Sequence, residues 1–191
     1  MPDDAPLDGT LAALARGGLS DVLVLGLRHS DDLPLPFYRP FLLAGFWLEL
    51  GDGVVWFEAS QGFLAATPAA RPELPVWVDH DGAEDMCILS GAGFTLDPAR
   101  EPAPISALEL VARDDDALRE ARIAAVFLRC TDGAELFAHA WSFDGVTFGR
   151  APEYATWREE NSYFAGWGRF RWEAGDLPWT WASRRTLAMR P

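Results

Sequence analysis

The chain has 191 residues, 49% of them apolar and 13% aromatic, the size of one domain or of two small halves around a shared core. Its formal net charge is −13, and all 16 basic residues are arginine; this excess of carboxylate argues against a general nucleic-acid binder, which needs a basic surface to neutralise phosphate. No apolar run approaches the roughly 20 residues of a membrane span, so no membrane association is expected.

The first element reads as a short helix over Leu7 to Arg16, capped by Asp8, with Leu11 and Leu14 on one face and Gly17-Gly18 ending it. Leu19 to Arg28 is almost continuously apolar, the pattern of a strand covered on both faces, and it ends at His29-Ser30-Asp31-Asp32. Leu33 to Pro40 holds too many prolines for a helix or a central strand and is expected to be an extended connection. Gly51-Asp52-Gly53 then joins two strand-like runs, Phe41 to Leu50 and Val54 to Ser60, as a hairpin. With Asp52 and Gly53 central, Leu50, Leu48 and Phe46 face Val55, Phe57 and Ala59 on the core side. On the other side Glu49 faces Trp56 and Trp47 faces Glu58, an alternation of rings and carboxylates that makes these four residues candidates for binding a partner.

Pro68 to Pro75 reads as a loop, Val76 to Val78 as a short strand, Asp79 to Asp85 as a polar turn, Met86 to Ser90 as a strand, and Leu96 to Pro104 as a connection. The plan then recurs. Ile105 to Arg113 is a strand, Asp114 to Asp116 cap a short helix to about Arg122, and Ile123 to Cys130 pairs through Asp132-Gly133 with Ala134 to Phe143. Asp144-Gly145 turns back into Val146 to Gly149. Residues 19–67 and 105–149 therefore read as two halves of a weak pseudo-repeat, each carrying one Asp-Gly hairpin. The expected fold is α+β and mostly antiparallel, one sheet or partly open barrel with two or three short helices in a single domain spanning 1–191.

Residues 150–191 differ from the rest. They carry 7 Arg against 5 acids, whereas residues 1–149 carry 9 Arg against 24 acids, and they hold Trp157, Trp167, Trp172, Trp179 and Trp181. Tyr154 to Tyr163 reads as a helix. Arg169-Phe170-Arg171-Trp172 alternates as a strand, and Trp179-Thr180-Trp181 repeats that alternation. The segment is expected to pack on the same core.

Three sets of residues carry possible chemistry. Asp79, His80, Asp81, Glu84 and Asp85 gather four acids and an imidazole, a donor set suited to a divalent cation, but without the spacing of an EF-hand or zincin motif; turn composition alone also accounts for them. Trp157, Tyr163, Trp167 and Trp172 are rings on which a sugar or other flat ligand stacks if they are exposed, and otherwise they close the core. His29 lies beside Ser30, Asp31 and Asp32 without a nucleophile elbow, and His139 lies mid-strand opposite Val126 in the expected pairing. Cys87 and Cys130 sit in apolar strands without metal-ligand spacing and are expected to be reduced. The start Met1-Pro2-Asp3-Asp4 is acidic where a secretory signal is basic, so a cytoplasmic location is expected.

These features point to an acidic interaction protein, in the manner of an inhibitor or immunity protein, docking on a basic protein partner without catalysis or cofactor. A small-ligand or saccharide binder using the aromatic segment, and an enzyme centred on His80 or His139, are the alternatives.

Overall fold

The computed structural model describes residues 6–29, 37–40, 45–75, 86–91, 96–97, 101–141, 145–161, 164 and 166–187. Within them the chain runs α1 (Pro6–Arg16), β1 (Gly18–His29), β2 (Phe37–Pro40), β3 (Gly45–Leu50), β4 (Gly53–Ser60), β5 (Phe63–Ala69), β6 (Met86–Ser90) and β7 (Ala103–Ala112). It continues through α2 (Asp115–Arg119), β8 (Arg122–Ile123), β9 (Ala125–Cys130), β10 (Glu135–Trp141), β11 (Gly145–Gly149), α3 (Ala151–Glu160), β12 (Gly168–Glu173) and β13 (Arg185–Leu187). The fold is α+β: a single antiparallel sheet that does not close into a barrel, with three helices among the described residues. None of those helices is long and apolar enough to cross a membrane.

The sheet is organised around β1 and β7, which pair antiparallel through Gly18–Pro104 and Leu19–Ala103. From β1 the order runs outward through the meander β3, β4, β5, and from β7 through the meander β9, β10, β11. The opposite edge of β1 pairs with β6 and that of β7 with β12. Each path is therefore a long strand, a connector, a three-stranded meander and a returning strand. The sheet bends so that β11 lies against β3 and β4, and β10 against β5.

That bend buries one continuous core. Val22, Val24, Phe46, Leu48, Val55 and Phe57 from the first path meet Leu108, Leu110, Val126, Leu128, Leu136 and Val146 from the second. The Phe46 and Phe148 rings meet edge to face, centroids 5.1 Å apart. The apolar run of β1 has its explanation here: Val22 and Val24 enter this core, while Leu23 and Leu25 enter a smaller cluster with Trp47 and Val54 on the outer face. A strand packed on both sides has no polar alternation to show.

Several local expectations need correction. In the first hairpin the two loop residues are Gly51 and Asp52, so Trp47 pairs with Trp56, Leu48 with Val55 and Phe46 with Phe57. Trp47 does not face Glu58, whose partner is Gly45. A further strand, β5, follows the two-residue turn Gln61-Gly62, both at positive φ (51° and 80°) as a hairpin turn of this length demands. Phe37–Pro40 is a short strand on the edge of β1 rather than a bare connection.

In the second half α2 stops at Arg119, and Ala121 turns at φ 53° into β8. His139 pairs with Ala125, not Val126. Asp8 lies inside the first turn of α1, where its carboxylate accepts from the Trp181 backbone N–H (2.7 Å) instead of capping the helix. α3 begins at Ala151, three residues before the expected start, with Pro152 in its first turn and the Glu153 carboxylate accepting from the Arg150 N–H (2.8 Å). Trp181 opens a 3-10 turn, Trp181–Ser183, and the strand lies further on at Arg185–Leu187.

Candidate functional site

Alternation places Trp47 and Glu49 of β3 on the outer face of the sheet with Trp56 and Glu58 of β4. The four partner-binding candidates thus share one face, but their roles divide. Trp47 is only 2% exposed, enclosed with Leu25 and Val54, and the Trp56 ring lies over it at 4.2 Å and 33°. Trp47 is therefore a buried support and not a contact surface. Trp56 and Glu58 are half-buried, and Glu49 accepts a hydrogen bond from the Ser20 hydroxyl (2.8 Å). A groove of about 340 Å³ opens over the rings, lined by Trp47, Trp56, Thr67 and the chain after β5 through Arg71, Glu73, Leu74 and Pro75. Leu74, 40% exposed, forms its lip, and Arg71 Nε pairs with Glu73 (2.9 Å) at its rim.

The aromatic residues of the C-terminal segment are placed differently. Trp172 is fully buried in the main core, its indole N–H donating to the Thr180 carbonyl (2.9 Å), and Trp179 is buried beside it, donating to the Glu173 carbonyl (2.8 Å). Trp157 is buried beneath α3 against Phe137, and Trp167 stacks on Phe63 at 5.7 Å. Trp157 and Trp172 offer no open ring face on which a ligand can stack. Tyr163 lies outside the described residues. So do Asp79, His80, Asp81, Glu84 and Asp85; among the described residues no group of three or more His, Cys, Asp or Glu side chains is placed to hold a metal. Cys87 and Cys130 form no disulfide.

Under α3 lies a buried polar cluster that sequence reading missed. Arg169 of β12 pairs with Glu109 of β7, Nε to Oε1 at 2.7 Å, and the Tyr154 hydroxyl of α3 donates to the same carboxylate oxygen. Burial, and then the neighbouring Glu109 charge, push the Tyr154 phenol far above its ordinary value. Burial pulls the Arg169 guanidinium down, but the hydrogen bond and charge of Glu109 outweigh it and leave it raised. His139 sits close by, 6% exposed, between Phe137 and Trp157, with Nδ1 3.3 Å from the Ala140 carbonyl. Burial holds its pKa below the ordinary value. These groups satisfy one another beneath packed rings, which suits anchoring α3 better than meeting a substrate.

A third feature is a cleft of about 390 Å³ lined by Leu96, Asp97, Asp132, Glu135 and Arg150. Glu135 is committed to Arg129 (2.8 Å) and to the Ala151 N–H (3.3 Å). In comparisons with known proteins the chain matches no family model, no curated protein and no solved structure.

Proposed function

We propose that the chain is an acidic, non-catalytic interaction domain that docks on a basic protein, as an inhibitor or immunity-type protein does. The observation that carries this reading is the disposition of charge. Among the described residues several arginines are paired with carboxylates of the same chain: Arg113 with Asp114, Arg129 with Glu135, Arg169 with Glu109, Arg184 with Asp115 and Arg185 with Asp176. Asp52, Glu101, Asp116, Glu159 and Glu160 face solvent. A surface whose cations are internally paired presents its surplus as negative potential, which speeds encounter with a basic partner and rejects acidic ones. The buried state of Trp157 and Trp172 takes support away from a saccharide platform in this segment.

The test is capture on the immobilised full chain from a soluble extract at low ionic strength, followed by salt elution. A stoichiometric partner with an isoelectric point above about 9, released as salt shortens the Debye length, is the expected result. A stoichiometric acidic partner, or one indifferent to salt, overturns the reading.

A further inference from the structure

We propose that Asp52, in the β3–β4 turn, is a site of spontaneous covalent modification: its bond to Gly53 rearranges to isoaspartate in the folded chain, while the other described Asp-Gly pairs are held against it.

The step needs no partner but water. The Gly53 backbone nitrogen attacks the Asp52 side-chain Cγ in its carboxylic acid form; an N–Cγ bond forms, and the acid hydroxyl leaves with the amide proton as water. The succinimide ring then takes up a water. Opening at the former backbone carbonyl leaves the chain running through Cγ, as isoaspartate, and opening at Cγ restores aspartate. Nothing is oxidised or reduced, and the residue keeps its charge.

Two requirements decide where this happens: an amide nitrogen with no side chain beside it, and a carboxyl free to turn towards it. Asp52-Gly53 meets both. A Cβ on residue 53 would stand 2.8 Å from the Ala69 carbonyl oxygen, so the approach of β5 demands glycine there and the nitrogen stays unshielded. Asp52 is exposed at the tip of the turn, and among the described residues its carboxylate enters no hydrogen bond or ion pair. Leu50–Gly53 is the last rung of the β3–β4 ladder, and an end rung opens far more readily than the domain unfolds.

Asp8-Gly9 and Asp132-Gly133 carry the same two residues without that freedom. The Asp8 carboxylate holds the Trp181 N–H (2.7 Å) from within α1, where the helix fixes the main chain. The Asp132 carboxylate accepts from the Ala134 N–H (3.0 Å), and the Gly133 N–H itself donates to the Cys130 carbonyl (3.1 Å). Asp81 and Asp144, which precede Gly82 and Gly145, lie outside the described residues. The product adds a main-chain atom to a two-residue turn. Leu50, at the foot of that turn, is 5% exposed and packs so closely on Gly17 that a Cβ there would fall 2.6 Å from its own, so a longer turn disturbs the junction of the hairpin with α1.

The experiment incubates the full chain in warm, mildly acidic buffer in which circular dichroism shows it folded, and in parallel in the same buffer with urea. Isoaspartate is measured by peptide mapping with electron-transfer fragmentation and by labelling with an isoaspartyl carboxyl methyltransferase and S-adenosylmethionine. In the folded chain residue 52 is expected to convert several times faster than residues 8 and 132. In urea the three are expected to convert at similar rates, which assigns the difference to the fold. Asp52→Asn, whose succinimide forms with loss of ammonia, is expected to deamidate at this position while folded, and Asp52→Ser to remove the label from this peptide. Conversion at 52 no faster than at 8 and 132 in the folded chain, or a preference for 52 just as large in urea, overturns the proposal. So does an Asp52→Asn variant that stays intact while folded and deamidates only in urea.

Discussion

Replacing Arg169 by leucine tests the buried cluster under α3 directly. The Arg169 and Glu109 side chains are 10% and 7% exposed and meet at 2.7 Å, so water screens the pair little. Removing the cation leaves the Glu109 carboxylate enclosed with the Tyr154 hydroxyl as its remaining hydrogen-bond donor in this cluster. Breaking one side of a buried ion pair costs about 3–5 kcal/mol, most of it the desolvation of the group left behind. For a chain of this length that lowers the melting temperature by roughly 10 °C. The assay is urea unfolding followed by circular dichroism. A triple variant, Glu109→Leu with Tyr154→Phe and Arg169→Leu, removes the charges and the hydroxyl together and should recover most of the loss, because no buried group is orphaned. A loss below about 1 kcal/mol in the single variant, or a triple variant as unstable as the single, would refute the assignment of this cluster as an enclosed, mutually satisfied unit.

His139 gives a pH signature. Its pKa lies below the ordinary 6.5 because burial disfavours the cation, only partly offset by the Ala140 carbonyl. The stabilising contribution is therefore complete above pH 6.5 and is lost as pH falls from there through the folded-state value; His139→Leu should flatten that part of the unfolding profile. Asp114 caps α2 by accepting from the Ala117 N–H (2.8 Å), and this hydrogen bond, followed by Arg113, holds its carboxyl below the ordinary range. Asp114→Ala should lower the melting temperature at neutral pH, with the difference disappearing in acid as the wild-type carboxyl protonates. Gly45 has φ +129°, and a Cβ there overlaps the Phe57 carbonyl oxygen across the β3–β4 pair. Gly45→Ala should cost about 3 kcal/mol or more, read as loss of soluble folded protein on expression or as a depressed urea midpoint.

How much of this was legible in the sequence follows from the range of the interactions. Period-two alternation and an Asp-Gly turn specify which face each strand buries, and they did so correctly for Phe46, Leu48, Val55 and Phe57. They do not specify which two residues form the loop: moving the turn from Asp52-Gly53 to Gly51-Asp52 shifts the register by two, which preserves every face and changes every cross-strand partner. That shift is what turns an expected Trp47–Glu58 pair into a tilted Trp47–Trp56 ring contact at the floor of a groove. The turn that starts β5 left a local trace in Gln61-Gly62, since glycine at the second loop position favours the positive φ found there. The alternation of Arg169, Phe170, Arg171 and Trp172 likewise identified a ring face, but could not reveal that Arg169 on the other face is covered as well. Arg169 is satisfied by Glu109, 60 residues away, and the Trp181 N–H by Asp8, 173 residues away. No window of sequence contains both partners of such a bond, and burial of a charged residue is decided by the distant one. The same reasoning ranks the candidate sites. Trp157, Trp167, Trp172 and Trp179 are claimed by partners elsewhere in the fold, whereas Trp56 of the first hairpin borders a groove of about 340 Å³.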